Sequence, residues 1–228
     1  MDEASKTNKI RGADFIRRYF HDRTVIDIGC GADPVVPWAT PFDMADGDAN
    51  LITEYVPGAL FDVVHSSHCL EHMRSPPQAL AQWWALVKPG GFLITVVPDE
   101  ELYEQGLWPS VFNHDHKWAF TLDAARLWGA HVIDLKALHL QLPGVTLIDL
   151  QKHDLAYRRD LLEATRANLS PRNFARYRHA LGVLRACKLD GLGLDMLGWP
   201  WLTRHGIPID QTRTAAMAQL QIIVQKQP

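Results

Sequence analysis

Apolar positions in this chain fall into two periods. Residues 25–28, 61–65 and 91–98 are short, nearly continuous apolar runs rich in β-branched side chains. Such runs fit strands buried on both faces of a parallel sheet. Residues 41–44, 144–150 and 218–225 read as further strands. Helical spacing appears where Phe15, Ile16, Tyr19 and Phe20 share one side of residues 12–20, after a polar lead-in over residues 1–10. It recurs at Leu80, Trp84 and Val87, with Ser75 as N-cap, Pro76 at the first helical position and Gly90 as the stop. Thr121 can cap another helix running to Trp128, with Gly129 ending it. A helical insertion covers roughly residues 155–190, with Ser170–Pro171 as a second cap pair, and residues 190–194 are the nearest thing to a linker. Strands alternating with helices predict an α/β fold, a doubly wound and mostly parallel sheet, with the insertion before the last strand.

Composition narrows the class. A chain of 228 residues, 47% hydrophobic and 21% charged, suits a single α/β domain over residues 1–228, with 155–210 as a lid or dimer contact within it. No apolar run approaches a membrane span, and the first residues lack a signal-peptide pattern. Three widely spaced cysteines argue against a disulfide framework, so a reducing cytoplasm is expected. With a net charge of −3 and no basic recognition element, neither nucleic acid nor a membrane is an expected partner. Residues 152–188 carry nine Lys or Arg against Asp154, Asp160 and Glu163, most densely at Arg172, Arg176 and Arg178. A solvated helix face is the default reading, and a lid over an anionic or sugar-like acceptor is the sharper one.

The first strand runs into Gly29-Cys30-Gly31-Ala32-Asp33-Pro34. Glycines at the carboxyl end of a strand allow a sharp bend and a close ligand approach, where open α/β sheets bind their ligands. A dinucleotide fingerprint would need a third glycine at position 34, which is proline. Prolines follow instead of a helix N-terminus aimed at a pyrophosphate, so a ribose-bearing ligand without phosphates fits better.

Asp27-x-Gly29-x-Gly31 followed by Asp43 resembles the class I S-adenosylmethionine-dependent methyltransferases. So do Phe61-Asp62-Val63-Val64, Cys69-Leu70-Glu71-His72 and residues 86–93, together covering about residues 10–150 and the terminal strand. The resemblance implies a Rossmann-like fold and S-adenosylmethionine as cofactor. It implies cofactor contacts at Asp27, Gly29, Cys30, Gly31, Asp43, Met44, Asp48, Ala49, Ser66 and Ser67. Within that set, Gly29 and Gly31 pass under the methionine part, Asp43 takes the ribose hydroxyls, and Asp48 with Ala49 flanks the adenine. The chain departs from the family pattern in having Asp33 where a third glycine is common.

His65, His68 and His72 follow one strand, and Asn113-His114-Asp115-His116 follows another, so both groups are expected beside the cofactor. His72, Tyr103, Asn113 and Asp115 are candidate acceptor contacts, and His116 or His114 is the candidate general base. The bland reading is a loop held by local side-chain-to-backbone bonds. Metal binding through His114, His116 and another ligand is conceivable but is not the expectation, since His-x-His alone is a poor predictor. Cys30 and Cys69 read as small buried hydrophobes rather than nucleophiles. The expected activity is methyl transfer to a small-molecule acceptor, a metabolite or glycan precursor, with a homodimer possible. A nicotinamide-dependent oxidoreductase and a non-catalytic scaffold of the same fold are the alternatives.

Overall fold

The computed structural model describes residues 3–170 and 198–228. Six strands form one sheet: β1 (Val25–Ile28), β2 (Thr40–Phe42), β3 (Phe61–Ser67), β4 (Val87–Pro98), β7 (Val145–His153) and β8 (Gln219–Lys226). Their order is β2-β1-β3-β4-β8-β7, parallel from β2 to β4 and antiparallel at both pairings of β8. β5 (Ala119–Thr121) and β6 (Val132–Asp134) form a separate parallel pair.

The chain divides into two compact units. The first holds residues 1–100, 115–153 and 219–228; the second holds residues 101–114 and 154–218. In the first, α3 (Pro76–Ala85) lays Leu80, Trp83 and Trp84 on one sheet face, against Ile26, Ile28, Val64 and Leu93. Burying each of these side chains stabilises by about 1.5–3 kcal/mol. The other face packs Val25, Val63, Ile94 and Ile223 against Tyr19, the last residue of α1 (Glu3–Tyr19), and Phe20 just after it. The short helices α2 (Ile52–Tyr55) and α4 (Leu135–His139) complete this unit.

In the second unit, α5 (Arg159–Asn168) and α6 (Trp199–Arg204) share a small core of Leu161, Trp199 and Ile209. The 101–114 segment is tied into it. Tyr157 donates to the Leu102 carbonyl at 2.6 Å, and Gln105 donates to the Ile209 carbonyl at 2.7 Å. Residues 171–197, which include Pro171, Arg172, Arg176, Arg178 and the 190–194 linker, lie outside the described residues.

Four local expectations are corrected. Residues 3–11 are helical, because Ser5 N–H donates to Asp33 at 2.8 Å and Asn8 donates to the Val35 carbonyl at 2.7 Å. Gly12, at φ +71°, breaks α1 there. The helix expected from Thr121 shrinks to a single turn, Ala124–Arg126, because Thr121 pairs in β5 and Asp123 caps instead. α3 ends at Ala85 well before Gly90, which lies inside β4 at φ +77°. Ser75 precedes α3 without a side-chain capping bond.

Candidate functional site

β1 sits at the switch point of the sheet, since the chain moves to β2 on one side and then to β3 on the other. Ligands in open α/β sheets bind at the carboxyl ends of such strands. A cavity of about 280 Å³ opens there, walled by Ala4, Asp27, Gly29–Asp33, Asp43, Ser67 and His68.

The turn that floors it requires glycine. Gly29 has φ +77°, and a Cβ on it would stand 2.6 Å from the Cβ of Cys69. Its N–H donates to the Phe42 carbonyl at 2.8 Å, which pins the turn to the end of β2. The N–H of Gly31 donates to Asp43 Oδ2 at 2.6 Å, and that of Met44 to Oδ1 at 2.6 Å. An ionised carboxylate has about four lone-pair sites, so Asp43 keeps capacity for two hydroxyls. Asp33 accepts from both the N–H and the hydroxyl of Ser5. The missing third glycine is thereby replaced by a helix tether.

Behind the turn lies a buried polar chain. Asp27 Oδ2 accepts from Val35 N–H at 2.6 Å, and Oδ1 lies 2.6 Å from His65 Nδ1. His65 Nε2 lies 3.3 Å from an Arg11 guanidinium nitrogen, and Arg11 Nε donates to Gln221 Oε1 at 2.8 Å. Arginine only donates, so His65 accepts at Nε2 and its Nδ1–H points to Asp27. Burial lowers the His65 pKa against the pull of Asp27, which agrees with a neutral ring. Burial likewise pulls the Arg11 guanidinium down to about 9, opposed by Asp27. Each carboxylate oxygen of Asp27 is thus engaged by a protein group, which holds the loop, and Asp27 also stands in the cavity wall with lone-pair capacity left.

The other cofactor candidates divide. Cys30 and Ser67 line the cavity with Asp27, Gly29, Gly31 and Asp43. Met44, Asp48, Ala49 and Ser66 are not in its wall. Met44 points to solvent. The carboxylate of Asp48 is occupied in accepting from the N–H and side chain of Asn50 and from Arg74. Ser66 is fully buried and donates to the Ile28 carbonyl at 3.1 Å. Burial raises the thiol pKa of both Cys30 and Cys69, which argues against a nucleophilic role; Cys69 packs in the core, whereas Cys30 is half-buried in the cavity wall.

A second cluster follows β3. Glu71 is fully buried, with Oε1 3.6 Å from His68 Nδ1 and 3.9 Å from Nε2 of both His72 and His116. His72 Nδ1 is 2.9 Å from Asp115 Oδ2. His116 is buried and its ring meets that of His72 edge-on at 4.9 Å. His68, at φ +53°, belongs to this cluster and also lines the cavity. A non-glycine residue in that region is uncommon and concentrates at functional sites. The remaining candidates belong to the second unit and are held locally. His114 Nδ1 lies 3.1 Å from the Ser110 carbonyl, Asn113 N–H donates to Ser110 Oγ at 3.4 Å, and Tyr103 meets Phe112 edge-on.

Arg11, His68, Glu71 and Gln221 were not among the candidate site residues. For Glu71 the signal was its place between His68 and His72 in one short turn. Arg11, on α1, and Gln221, on β8, stand 210 residues apart, and only tertiary folding brings them together.

The sheet order, the turn and the cavity define a Rossmann-like methyltransferase fold. A family model described as a methyltransferase domain matches residues 6–140, more than half of the chain, and the chain belongs to that family, within the class I S-adenosylmethionine-dependent methyltransferases. Among solved structures, a provisionally named methyltransferase from Bacillus halodurans is similar at 14% identity and a TM-score of 0.52, covering 99% of each chain. A SAM-dependent methyltransferase from Archaeoglobus fulgidus is similar at 14% identity and a TM-score of 0.50, covering 99% of this chain and 95% of its own. At that identity the likeness shows the fold. No curated protein matches.

The residues present fit the cofactor. The hydroxyl of Ser67 is buried in the cavity wall and, among the described residues, finds no hydrogen-bond partner. A Cβ on Gly31 would meet no atom nearer than Asp43 Oδ2 at 3.8 Å, so the turn leaves open room above it. No helix among the described residues is long and apolar enough to cross a membrane.

Proposed function

We propose that the chain transfers the methyl group of S-adenosylmethionine to a small-molecule acceptor, a metabolite or glycan precursor. The observation that carries this reading is the cavity at the switch point, with its glycine turn, the Asp43 carboxylate and the unsatisfied Ser67 hydroxyl. The cofactor supplies an already activated methyl on a sulfonium, so the protein needs no covalent intermediate. Its residues bind, align and exclude water. Asp43 receives the ribose hydroxyls, Gly29 and Gly31 let the backbone run under the methionine part, and Ser67 donates to the bound nucleoside.

His68 lines the cavity and stands 3.6 Å from Glu71, which supports reading the Glu71–His72–His116 cluster as neighbour to the methyl-bearing end. Proton removal from a hydroxyl acceptor is assigned to this cluster, with His116 its first member. The weakly acidic chain, with no basic recognition element, favours a small acceptor over a nucleic acid.

Calorimetry with S-adenosylhomocysteine, NAD and NADP tests the cofactor. Binding of the first alone is expected, and binding of a nicotinamide nucleotide alone would overturn the reading in favour of an oxidoreductase. A methyl-acceptor screen with labelled cofactor then tests the acceptor class. Cofactor binding with no transfer across a broad panel would mark a scaffold.

A further inference from the structure

The Glu71 cluster is incomplete as it stands. Among the described residues neither carboxylate oxygen of Glu71 finds a hydrogen-bond donor, although the side chain is fully buried. A buried carboxylate without partners carries a large desolvation penalty. We propose that Glu71, His72 and His116 bind a divalent transition-metal ion, zinc being the first choice, at the edge of the cofactor cavity.

The donor set fits. Two imidazoles and one carboxylate suit zinc, iron or manganese, whereas magnesium and calcium prefer all-oxygen sites. One donor atom from each residue lies within 4.8 Å of the others. Three ligands at about 2.0–2.2 Å from a tetrahedral ion stand roughly 3.3 Å apart. Two edges of the triangle start at 3.9 Å and the third lies within 4.8 Å, so side-chain rotations must draw the donors together.

The surroundings already orient the ligands. His72 turns Nδ1 to Asp115, 2.9 Å from Oδ2 and 3.2 Å from the backbone carbonyl. Donating there leaves the Nε2 lone pair on the Glu71 side, the carboxylate–histidine–metal arrangement that fixes tautomer and ring direction. The backbone N–H groups of residues 117 and 118 both donate to the Glu71 carbonyl, at 2.9 and 3.2 Å. The two segments bearing the ligands are therefore joined before any ion arrives. Three protein ligands leave a coordination position open, as catalytic zinc sites do. An acceptor hydroxyl bound there would pass its proton to solvent more readily, since the ion stabilises the oxyanion, and His116 would then serve as a ligand and not as the base. This role rests on the methyltransferase reading; the binding itself does not.

The test uses the full chain, stripped with chelator and dialysed, and titrated calorimetrically with zinc, manganese or magnesium chloride. One zinc per chain is expected, with magnesium much weaker. Glu71→Gln and His72→Ala should each weaken zinc binding at least tenfold, while His21→Ala, which changes an exposed histidine, should not. Circular dichroism verifies that the variants fold. S-adenosylhomocysteine affinity, measured on the same samples, separates the two readings: its absence would sink the methyltransferase proposal and leave the metal result standing. No stoichiometric zinc on the wild type, or binding unchanged in Glu71→Gln, would overturn the site and leave the cluster as histidines packed around a buried carboxylate.

Discussion

Asp27 and Glu71 are both buried acids close to the carboxyl edge of one sheet, and they are treated in opposite ways. Asp27 accepts from Val35 and faces His65, itself backed by Arg11 and Gln221. Glu71 has three histidine nitrogens at 3.6–3.9 Å and a hydrogen bond to none of its oxygens among the described residues. A satisfied buried carboxylate fixes a scaffold. An unsatisfied one, kept in place by its own backbone, is poised for something that arrives later. The contrast separates the part of the site that must be rigid before the cofactor binds from the part reserved for a further ligand.

The contrast can be broken most directly at Asp27. Removing it by Asp27→Ala leaves the Val35 N–H and His65 buried without their acceptor, and a loss of about 3–5 kcal/mol in urea denaturation is expected. A loss under about 1 kcal/mol would mean that the chain behind the turn is not structural. Next comes a buried base on α4 that reaches Thr95 of β4. His139 donates to the Leu135 carbonyl and faces Thr95 Oγ1, and burial lowers its pKa from 6.5 to about 4. Its unfolded form binds a proton first, so its contribution is complete above about pH 6.5 and fades as pH falls towards 4. Roughly 3 kcal/mol is at stake, and the acid limb of the stability profile should flatten in His139→Gln.

Smaller effects sharpen the comparison. Asp43→Ala should weaken S-adenosylhomocysteine binding by about 10–100-fold in calorimetry, the worth of charge-assisted bonds to two hydroxyls, with circular dichroism unchanged. Glu71→Gln should be the mildest: in chelated protein its stability should stay within about 1 kcal/mol of wild type, because no hydrogen bond is lost. A loss as large as that for Asp27→Ala would erase the distinction drawn between the two acids.

Much of the turn and its cavity was legible because it is local. The apolar run, the Gly29–Gly31 turn and Asp43 are close in sequence, and their geometry follows from strand pairing and glycine φ alone. What escaped was of two kinds. Helix 3–11 lacks an apolar stripe; it is held by Asp33 and Val35, which no periodicity could announce. The Thr121 helix failed because Thr121 joins a two-stranded sheet, where tertiary pairing outweighs a good cap. In the candidate site, Asp48 is a cofactor contact by resemblance, and the local bond from Asn50 two residues on, as in an Asx turn, is a feature the resemblance does not announce. The histidines split in the same way: His116 lies against Glu71, whereas His114 is held within the other unit.

β8 joins β4 to β7 and supplies Gln221 to Arg11 and Gln219 to His68. These eight residues are made last among the strands, so on the ribosome β4 and β7 wait with open edges and Arg11 is without its final acceptor. Assembly of this edge therefore waits for β8 to emerge. A nascent chain stalled before residue 219 should be chaperone-dependent and inert, however complete its glycine turn.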